Sequence, residues 1–357
     1  MISNPKISIL CPSYNHEKFI GYFIDSILNQ SEQDFELIIV DDCSTDKNVI
    51  EIQKFSDPRI KLIKHNYNQG INAGLNDAFN IAKGQYFVFI ASDDMLEPDH
   101  LKFTCEYLDK NKDINIVYCS LHIIDNNNQL IKKNKPSIQP DRDRFKILME
   151  LFMDGNVILS PGMVVRKDAL DKIMPLDLSM LQHQDYQMHI NLLMENNIYF
   201  TAQQLVRYRQ ISGNQTNISA RSCVTKKRED LEQSKLMDSF LQIKDVTFLR
   251  QIFGNKLDEF GEPNNKTIPY FLGRLALCSK NPEKQNWGYH TIMNFIGSKE
   301  NLDLLNALYG FSFKNYITLV NQFTLTDVEK KYKKYRKLFN IFLLISVILA
   351  LIIIYIA

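Results

Sequence analysis

Two aspartates that follow an apolar run are the residues best suited to chemistry in this sequence. Asp93 and Asp94 come directly after the run 86–90 and Ala91-Ser92, with no basic residue within several positions. Adjacent carboxylates repel each other unless a cation compensates, and Mg²⁺ or Mn²⁺ prefers carboxylate oxygens and keeps positions open for phosphate. The pair therefore indicates a divalent metal site, with a helix start before Glu97 as the simpler alternative.

A second aspartate pair repeats this arrangement earlier in the chain. Asp41 and Asp42 close the apolar run 35–40. One of these carboxylates could accept a hydrogen bond from a base N–H or a ribose hydroxyl, and a cap together with Ser44 is the alternative. A dinucleotide-binding turn is excluded, because residues 12–15 after the first apolar run contain no glycine to cradle a pyrophosphate.

A fifth acid, Asp185, lies at the start of a helical pattern. Met188 and Leu192 recur at helical spacing after it and predict a helix that begins close to Asp185. An aspartate at a helix start is usually a cap. His183 and His189 flank it, but their spacing matches no established metal motif, so each is more often a structural or surface residue.

The elements that must position these acids form an alternating pattern. Apolar runs that predict buried strands occupy 7–11, 35–40, 60–64 and 86–90, and helical spacing predicts helices over 17–30 and 72–82. Nearly continuous apolar strands between helices predict a mostly parallel α/β sheet covered on both faces. Because ligands bind at the carboxyl ends of such strands, we expect the polar residues after the first, second and fourth strands to converge on one edge.

Composition excludes several classes of protein. Hydrophobic residues make up 45% and charged residues 23% of the 357 residues, which is typical of a globular protein. Six of the 42 basic residues lie in 330–337, and the rest of the chain is mildly acidic, so no nucleic-acid partner is predicted. The six cysteines form no CxxC pair, which argues against a structural zinc site and against a disulfide framework.

The last twenty residues differ from the rest of the chain. Residues 338–357 carry no charge, and a helix of that length would span about 30 Å, the thickness of a bilayer's hydrocarbon core. The pattern predicts a transmembrane helix, with a buried core helix as the alternative. The basic segment 330–337 would then keep the body of the protein on the cytoplasmic side and contact anionic lipid, as a single-pass C-terminal anchor, for example in a bacterial inner membrane.

The order of the motifs is more specific than any single motif. The runs ISILCPSYN and IIVDDCSTD, then AKGQYFVFIASDD, then QDYQ at 184–187, resemble the family 2 glycosyltransferases of the GT-A fold. The resemblance covers roughly residues 6–210 and implies a GT-A nucleotide-diphospho-sugar transferase domain over 1–215. The mainly helical pattern that follows predicts a helical accessory region over 216–329, and charge and hydropathy predict a basic segment over 330–337 and a transmembrane helix over 338–357.

The resemblance assigns donor-binding roles to four residues and a metal-binding role to a fifth. It implies that Pro12 and Tyr14 contact the nucleotide base and that Asp42 reads the base ring. Asp94 matches the family's metal ligand for Mn²⁺ or Mg²⁺, and Asp93 matches the acid beside the ribose and the metal. A cation there would balance the charge that develops on a leaving nucleotide diphosphate.

The resemblance also implies that Asp185 is the catalytic base of an inverting transferase. A sugar hydroxyl is a weak nucleophile at neutral pH, so a carboxylate must take its proton as it attacks the anomeric carbon. The sequence departs from the common family pattern at three places. Ala91 stands where many relatives have an aspartate, Gln184 stands where an acid is frequent, and residues 209–212 contain an Arg without the nearby His.

The expected function is transfer of a sugar from a nucleotide-diphosphate sugar, by default a UDP-sugar, to a glycan or lipid-linked acceptor in polysaccharide biosynthesis. A processive synthase is disfavoured, because its Gln-x-x-Arg-Trp signature is absent and Trp287 is the only tryptophan. The alternative from another class is a membrane-tethered nucleotide-sugar-binding or scaffold protein without turnover. The joint presence of Asp42, Asp93, Asp94 and Asp185 argues against that alternative.

Overall fold

The computed structural model describes residues 4–132, 143–210, 222–323 and 327–356. The chain divides into two compact units, Met1–Gly254 and Asn255–Ala357. In the described part of the first unit, one sheet contains nine strands in the order β3-β2-β1-β4-β8-β6-β9-β5, with β7 beside β6. The strands are β1 Ile7–Ser13, β2 Phe35–Asp41, β3 Ile60–Lys64, β4 Tyr86–Phe89, β5 Met95–Leu96, β6 Ile114–Ile124, β7 Leu130–Lys132, β8 Met163–Arg166 and β9 Asn197–Arg209.

The helices of the first unit are α1 Ile20–Leu28, α2 Asn48–Ile52, α3 Ile71–Ile81, α4 His100–Lys110, α5 Arg144–Met153, α6 Lys167–Leu170, α7 Gln184–Glu195, α8 Cys223–Asp238 and α9 Val246–Phe253. Short 3₁₀ helices follow at Ser239–Gln242 and Gly254–Phe260. The second unit contains α10 Ile268–Leu277, α11 Pro282–Phe295, α12 Lys299–Tyr309, α13 Phe313–Thr318, a 3₁₀ turn at Leu319–Gln322 and α14 Asp327–Ile356. The α/β class and the helical C-terminal region are therefore confirmed.

The four predicted strands form the parallel half of the sheet. β1 pairs in parallel with both β2 and β4, and β2 pairs in parallel with β3. Every residue of β2 and β4 is buried, which explains why these strands read as continuous apolar runs. Helix α1 buries Ile20, Phe23, Ile24 and Ile27 in the core cluster of this half, and each fully buried side chain of this size contributes roughly 1.5–3 kcal/mol.

The other half of the sheet is mixed and delivers the end of β9 to the site. β8 runs antiparallel between β4 and β6, whereas β9 runs parallel to β6. The two-residue strand β5 pairs with β9 through Met95 and Arg207. This pairing holds the segment just before β5, which carries Asp93 and Asp94, against the C-terminal end of β9.

Gly162 fixes the entry into β8 by close packing. Its φ is +73°, its N–H donates to the carbonyl of Phe89 at 2.8 Å, and its own carbonyl accepts from His100 Nε2 at 2.8 Å. A Cβ at this position would lie 2.4 Å from Val206 Cγ2. The left-handed backbone and the contact both favour glycine at the end of the loop that precedes β8.

In the second unit, two glycines bring α10 and α11 close together. A Cβ at Gly273 would lie 2.8 Å from the carbonyl oxygen of Gly288, and a Cβ at Gly288 would lie 2.6 Å from that of Gly273. The two helices therefore approach through their backbones, because neither position has room for a side chain.

The transmembrane helix predicted at 338–357 is contradicted. Helix α14 has 30 residues, but no helix in the described residues is both long enough and apolar enough to cross a membrane. Side chains of the predicted segment are described only over 338–345, which rise about 12 Å against the ~30 Å of a hydrocarbon core, and the rest lies outside the described side chains. The prediction of a single-pass anchor with a cytoplasmic body at a bacterial inner membrane is corrected with it.

Candidate active site

The carboxyl ends of β1, β2 and β4 meet at Ser13. The backbone N–H of Asp42 donates to the carbonyl of Ser13 at 2.9 Å, which follows from the parallel register of β1 and β2. The Ser13 hydroxyl accepts from Ser92 Oγ at 2.8 Å and from Asn48 Nδ2 at 2.9 Å. The predicted convergence of the three polar clusters on one edge is therefore confirmed.

Asp42 is buried and its carboxylate is well supplied with donors. Asp42 Oδ1 lies 2.7 Å from His65 Nδ1 and accepts from the backbone N–H of Gln69 at 2.7 Å. Asp42 Oδ2 accepts from the backbone N–H of Gly70 at 2.8 Å. A carboxylate offers about four lone-pair sites, so roughly one remains for a ligand. Asp42 thus holds the segment 65–70 by hydrogen bonds and lies at the carboxyl edge of the sheet.

Pro12 and Tyr14 lie on the same edge as Asp42. Pro12 pairs with Val40 in the parallel register, and the ring of Tyr14 is 38% exposed. An exposed aromatic ring beside a buried carboxylate can cover a planar base, because the face of the ring stacks while the acid accepts an N–H. The structure therefore brings three of the predicted donor-binding residues together.

Asp94 is buried with few donors. It is 2% exposed, and within the described chain its side chain accepts one hydrogen bond, at 2.8 Å from the backbone N–H of Arg209. Burial raises the pKa of Asp94 well above its usual range, and the neighbouring charge of Asp93 raises it further. Asp93 Oδ1 lies 4.0 Å from His16 Nδ1, which is itself 2.7 Å from Ser92 Oγ.

Arg209 holds the Asp93–Asp94 segment through backbone oxygens, and its charge lowers the pKa of Asp94 against the larger effect of burial. Its guanidinium donates to the carbonyl oxygens of Asp93 at 2.7 Å and Asp125 at 2.6 Å, and to Asn128 Oδ1 at 2.6 Å. It also lies 4.6 Å from the ring centroid of Phe19. All three oxygens are neutral, so the cation positions this loop and leaves both carboxylates available to a ligand.

The donor set at Asp93 and Asp94 fits a cation that is shared with a ligand. Among the residues that the structure describes, no group of three His, Cys, Asp or Glu side chains could hold a metal ion alone. Mg²⁺ and Mn²⁺ commonly bind through one or two carboxylates and complete their shell with water and phosphate oxygens. The raised pKa of Asp94 indicates that this position favours added positive charge.

Asp185 lies in the first turn of α7, and the helix N-cap is His183. Asp185 Oδ1 accepts from the backbone N–H of Tyr186 at 2.7 Å, and Asp185 Oδ2 accepts from Ser160 Oγ at 3.3 Å. Burial raises the pKa of Asp185. A carboxylate whose pKa is raised is a stronger base than an exposed aspartate, which suits it to take a proton from a hydroxyl.

Tyr208, near the end of β9, links Asp185 to the aspartate pair. Burial raises the pKa of Tyr208 to about 12, and the charges of Asp94, Asp93 and Asp185 raise it as well. The charges of all three acids therefore influence one phenol.

Behind Asp185 lies a buried chain that the sequence did not reveal. His189 Nε2 lies 3.1 Å from Ser160 Oγ, and His189 Nδ1 lies 2.8 Å from the hydroxyl of Tyr118. His189 and Tyr118 are fully buried. The available signal was the spacing of Asp185 and His189, four residues apart on one helix face, whereas nothing in the sequence pointed to Ser160 or Tyr118.

A cavity of about 270 Å³ opens on the neighbouring face of α7. Its polar lining is largely amide, with side chains from Asn72, Gln184, Gln187, Asn191 and Gln242. Amides donate and accept hydrogen bonds at once, which matches the paired character of sugar hydroxyls. Gln184 precedes Asp185 at the start of α7, so the cavity and the candidate base share one end of this helix.

Comparison with known proteins places this site in a family context. The profile described as Glycosyl transferase family 2 matches residues 8–174. The chain is 32% identical over 196 residues to an uncharacterized glycosyltransferase of Methanocaldococcus jannaschii, covering 54% of this chain and 66% of that protein. It is 30% identical over 194 residues to UDP-Glc:alpha-D-GlcNAc-diphosphoundecaprenol beta-1,3-glucosyltransferase WfgD of Escherichia coli, covering 54% and 71%.

The chain spans about two thirds of the length of the curated relatives that it matches first. Among solved structures, residues 1–349 of S. aureus TarS in complex with UDP-GlcNAc superpose with a TM-score of 0.55 at 18% identity, covering 92% of each chain. At this identity the likeness concerns the fold alone.

Proposed function

The chain belongs to glycosyl transferase family 2 and has the GT-A fold, and on that premise we propose that it transfers a sugar from a UDP-sugar to a glycan or lipid-linked acceptor with inversion. The UDP-sugar and the lipid-linked acceptor are suggested by the name of WfgD, and TarS is a fold neighbour that binds UDP-GlcNAc. The observation that supports the proposal is that Asp42 and the segment carrying Asp93 and Asp94 converge on Ser13 at one edge of the sheet.

In the proposed reaction, Asp185 accepts the proton of an acceptor hydroxyl as its oxygen bonds to the anomeric carbon. The bond from that carbon to the diphosphate oxygen breaks, and its electron pair leaves with the nucleoside diphosphate. Attack opposite the leaving group inverts the anomeric centre. A cation at Asp93 and Asp94, Mn²⁺ or Mg²⁺, would supply positive charge to the leaving diphosphate when bound.

We assign the donor's base to the edge formed by Pro12, Tyr14 and Asp42. The remaining lone pair of Asp42 would accept a base N–H, and the exposed ring of Tyr14 would cover the base plane. Asp93 would then lie toward the ribose and the metal. The amide-lined cavity beside Gln184 would receive the acceptor sugar.

The decisive experiment compares Asp185→Asn with the unchanged chain. Nucleoside diphosphate release is measured from a panel of UDP- and GDP-sugars, with Mn²⁺, Mg²⁺ or chelator, and with undecaprenyl-diphosphate-linked GlcNAc as acceptor. We expect kcat to fall about 10²–10⁴-fold in Asp185→Asn while the donor Kd stays nearly constant, because a general base acts mainly in the transition state.

The surface variant Asp171→Asn, which loses only its pairing with Lys167 at 2.6 Å, is the matched control and should retain full activity. Unchanged transfer by Asp185→Asn would contradict the base assignment. Donor binding without nucleotide release across all sugars and this acceptor would favour a nucleotide-sugar-binding protein over an enzyme.

A further inference from the structure

We propose that Tyr118, His189 and Ser160 form a one-way hydrogen-bond relay that aims the Ser160 hydroxyl proton at Asp185 and thereby sets its strength as a base. These are positioning residues, since none of them needs to touch the substrate. The inference rests on the proposed role of Asp185, and it adds three residues that the sequence analysis did not assign to the site.

The direction of the relay follows from which groups are available. The hydroxyl of Tyr118 is fully buried, and among the described residues its hydrogen-bond partner is His189 Nδ1 at 2.8 Å. Burial lowers the pKa of His189 to about 3, so its ring is neutral and carries one N–H. If that proton were on Nδ1, the Tyr118 proton would have no acceptor in a buried position, which costs about 1–3 kcal/mol.

The Tyr118 hydroxyl therefore donates to Nδ1, and the ring proton of His189 resides on Nε2. Nε2–H then donates to Ser160 Oγ at 3.1 Å, and the serine hydroxyl donates to Asp185 Oδ2 at 3.3 Å. Every donor in the relay points toward the carboxylate. A hydrogen bond donated to the ionised form favours that form, so the relay opposes the rise in the pKa of Asp185 that burial causes.

The other titratable groups around the relay are neutral or act elsewhere. Tyr208 of β9 faces Asp185, and burial raises its pKa to about 12, while burial lowers the pKa of His183 at the start of α7. Tyr186 faces Asp154, which follows α5, and burial raises the pKa of Tyr186. Asp93 and Asp94 act on the same Tyr208 phenol from the β4–β5 side. Asp94, whose pKa is also raised, contributes to the acid limb of the kcat–pH profile in every variant, so only movement of that limb relative to the unchanged protein reports on Asp185.

The test measures the pH dependence of kcat in Ser160→Ala and Tyr118→Phe. Ser160→Ala removes the donor through which the relay reaches Asp185, while Asn156 and the Tyr186 N–H still donate to it. Tyr118→Phe removes the donor that keeps the proton off Nδ1, so the preference for the Nε2–H ring falls and Ser160 can donate to His189 as well as to Asp185. We expect the acid limb to move to higher pH by about one unit in Ser160→Ala and in the same direction by less in Tyr118→Phe.

Tyr86→Phe is the matched control. Tyr86 is a fully buried tyrosine on β4 whose hydroxyl donates to Asp109 at 2.5 Å, away from Asp185. It should lower stability without moving the acid limb. An unmoved acid limb in both relay variants, or an equal movement in Tyr86→Phe, would overturn the relay.

A second readout does not depend on activity. ¹⁵N NMR of histidine-labelled protein, with His189 identified by its loss in His189→Gln, reports which ring nitrogen carries the proton. We expect the Nε2–H form down to about pH 4, and a shift toward Nδ1–H in Tyr118→Phe. An Nδ1–H ring in the unchanged protein would refute the relay. If His189 carries its proton on Nε2 but Asp185→Asn keeps full activity, the role of Asp185 as the base is refuted and the hydrogen-bond relay is not.

Discussion

The two aspartate pairs look alike in the sequence and differ in the structure. Within the described residues, the side chains of Asp41 and Asp42 accept bonds from Asn48, Ser44, His65, Gln69 and Gly70. The second pair receives one such bond, from the backbone of Arg209 to Asp94. The first pair therefore organises the loops of the sheet edge, whereas the second accepts few hydrogen bonds and leaves carboxylate oxygens available to a cation. Partners distant in the chain decide which role a pair takes.

The largest change in the free energy of unfolding should come from removing the carboxylate of Asp42. Asp42→Ala leaves the ring of His65 and the N–H groups of Gln69 and Gly70 without their acceptor in a buried position. We expect the free energy of unfolding to fall by about 3–5 kcal/mol. Urea denaturation measures this change, and a loss below about 1 kcal/mol would remove the distinction between the pairs.

Substitution of Asp94, which accepts only one hydrogen bond in the described chain, should raise the free energy of unfolding instead of lowering it. Asp94→Asn keeps an acceptor for the Arg209 N–H but removes the buried charge, so at pH 8 without metal we expect the free energy of unfolding to rise by about 1–2 kcal/mol. The same variant should lose metal-dependent nucleotide binding in calorimetry. A destabilised Asp94→Asn that still binds UDP with Mn²⁺ dependence would count against this division of roles.

The pH dependence of that gain sharpens the comparison. The pKa of Asp94 is raised in the folded state, so its contribution is favourable below the unfolded pKa of about 3.9 and is lost as pH rises through the folded value. The stability difference between Asp94→Asn and the unchanged protein should therefore be small near pH 4 and grow toward pH 8. Urea midpoints at the two pH values measure it, and a difference independent of pH would point to packing instead.

The smallest effect should come from the outer partner of His65. Asp77 Oδ2 lies 3.0 Å from His65 Nε2, but its side chain is 46% exposed. Solvent screens such a pair, so we expect Asp77→Asn to cost less than about 1 kcal/mol by urea denaturation. A cost equal to that of Asp42→Ala would mean that His65, and not Asp42, organises the loop.

The sequence predicted the parallel half of the sheet well, because β1, β2 and β4 are almost entirely buried and carry nearly continuous apolar runs. β8 was not predicted, since four residues of MVVR have no periodicity to distinguish them. The relay residue Ser160 lies in a loop, and only the fold brings it to Asp185. Composition alone suggested a membrane span at 338–357, which the described helices contradict.

Gly162 has a consequence for how this enzyme can diversify. It stands two positions after Ser160, with a left-handed backbone and a neighbouring methyl group that leaves no room for a Cβ. Leu159, in contrast, is 42% exposed. Substitutions can accumulate at such exposed loop positions, while position 162 is held to the smallest residue by shape alone. Saturation libraries across 156–162 should therefore tolerate many substitutions at the exposed Leu159 and almost none at Gly162.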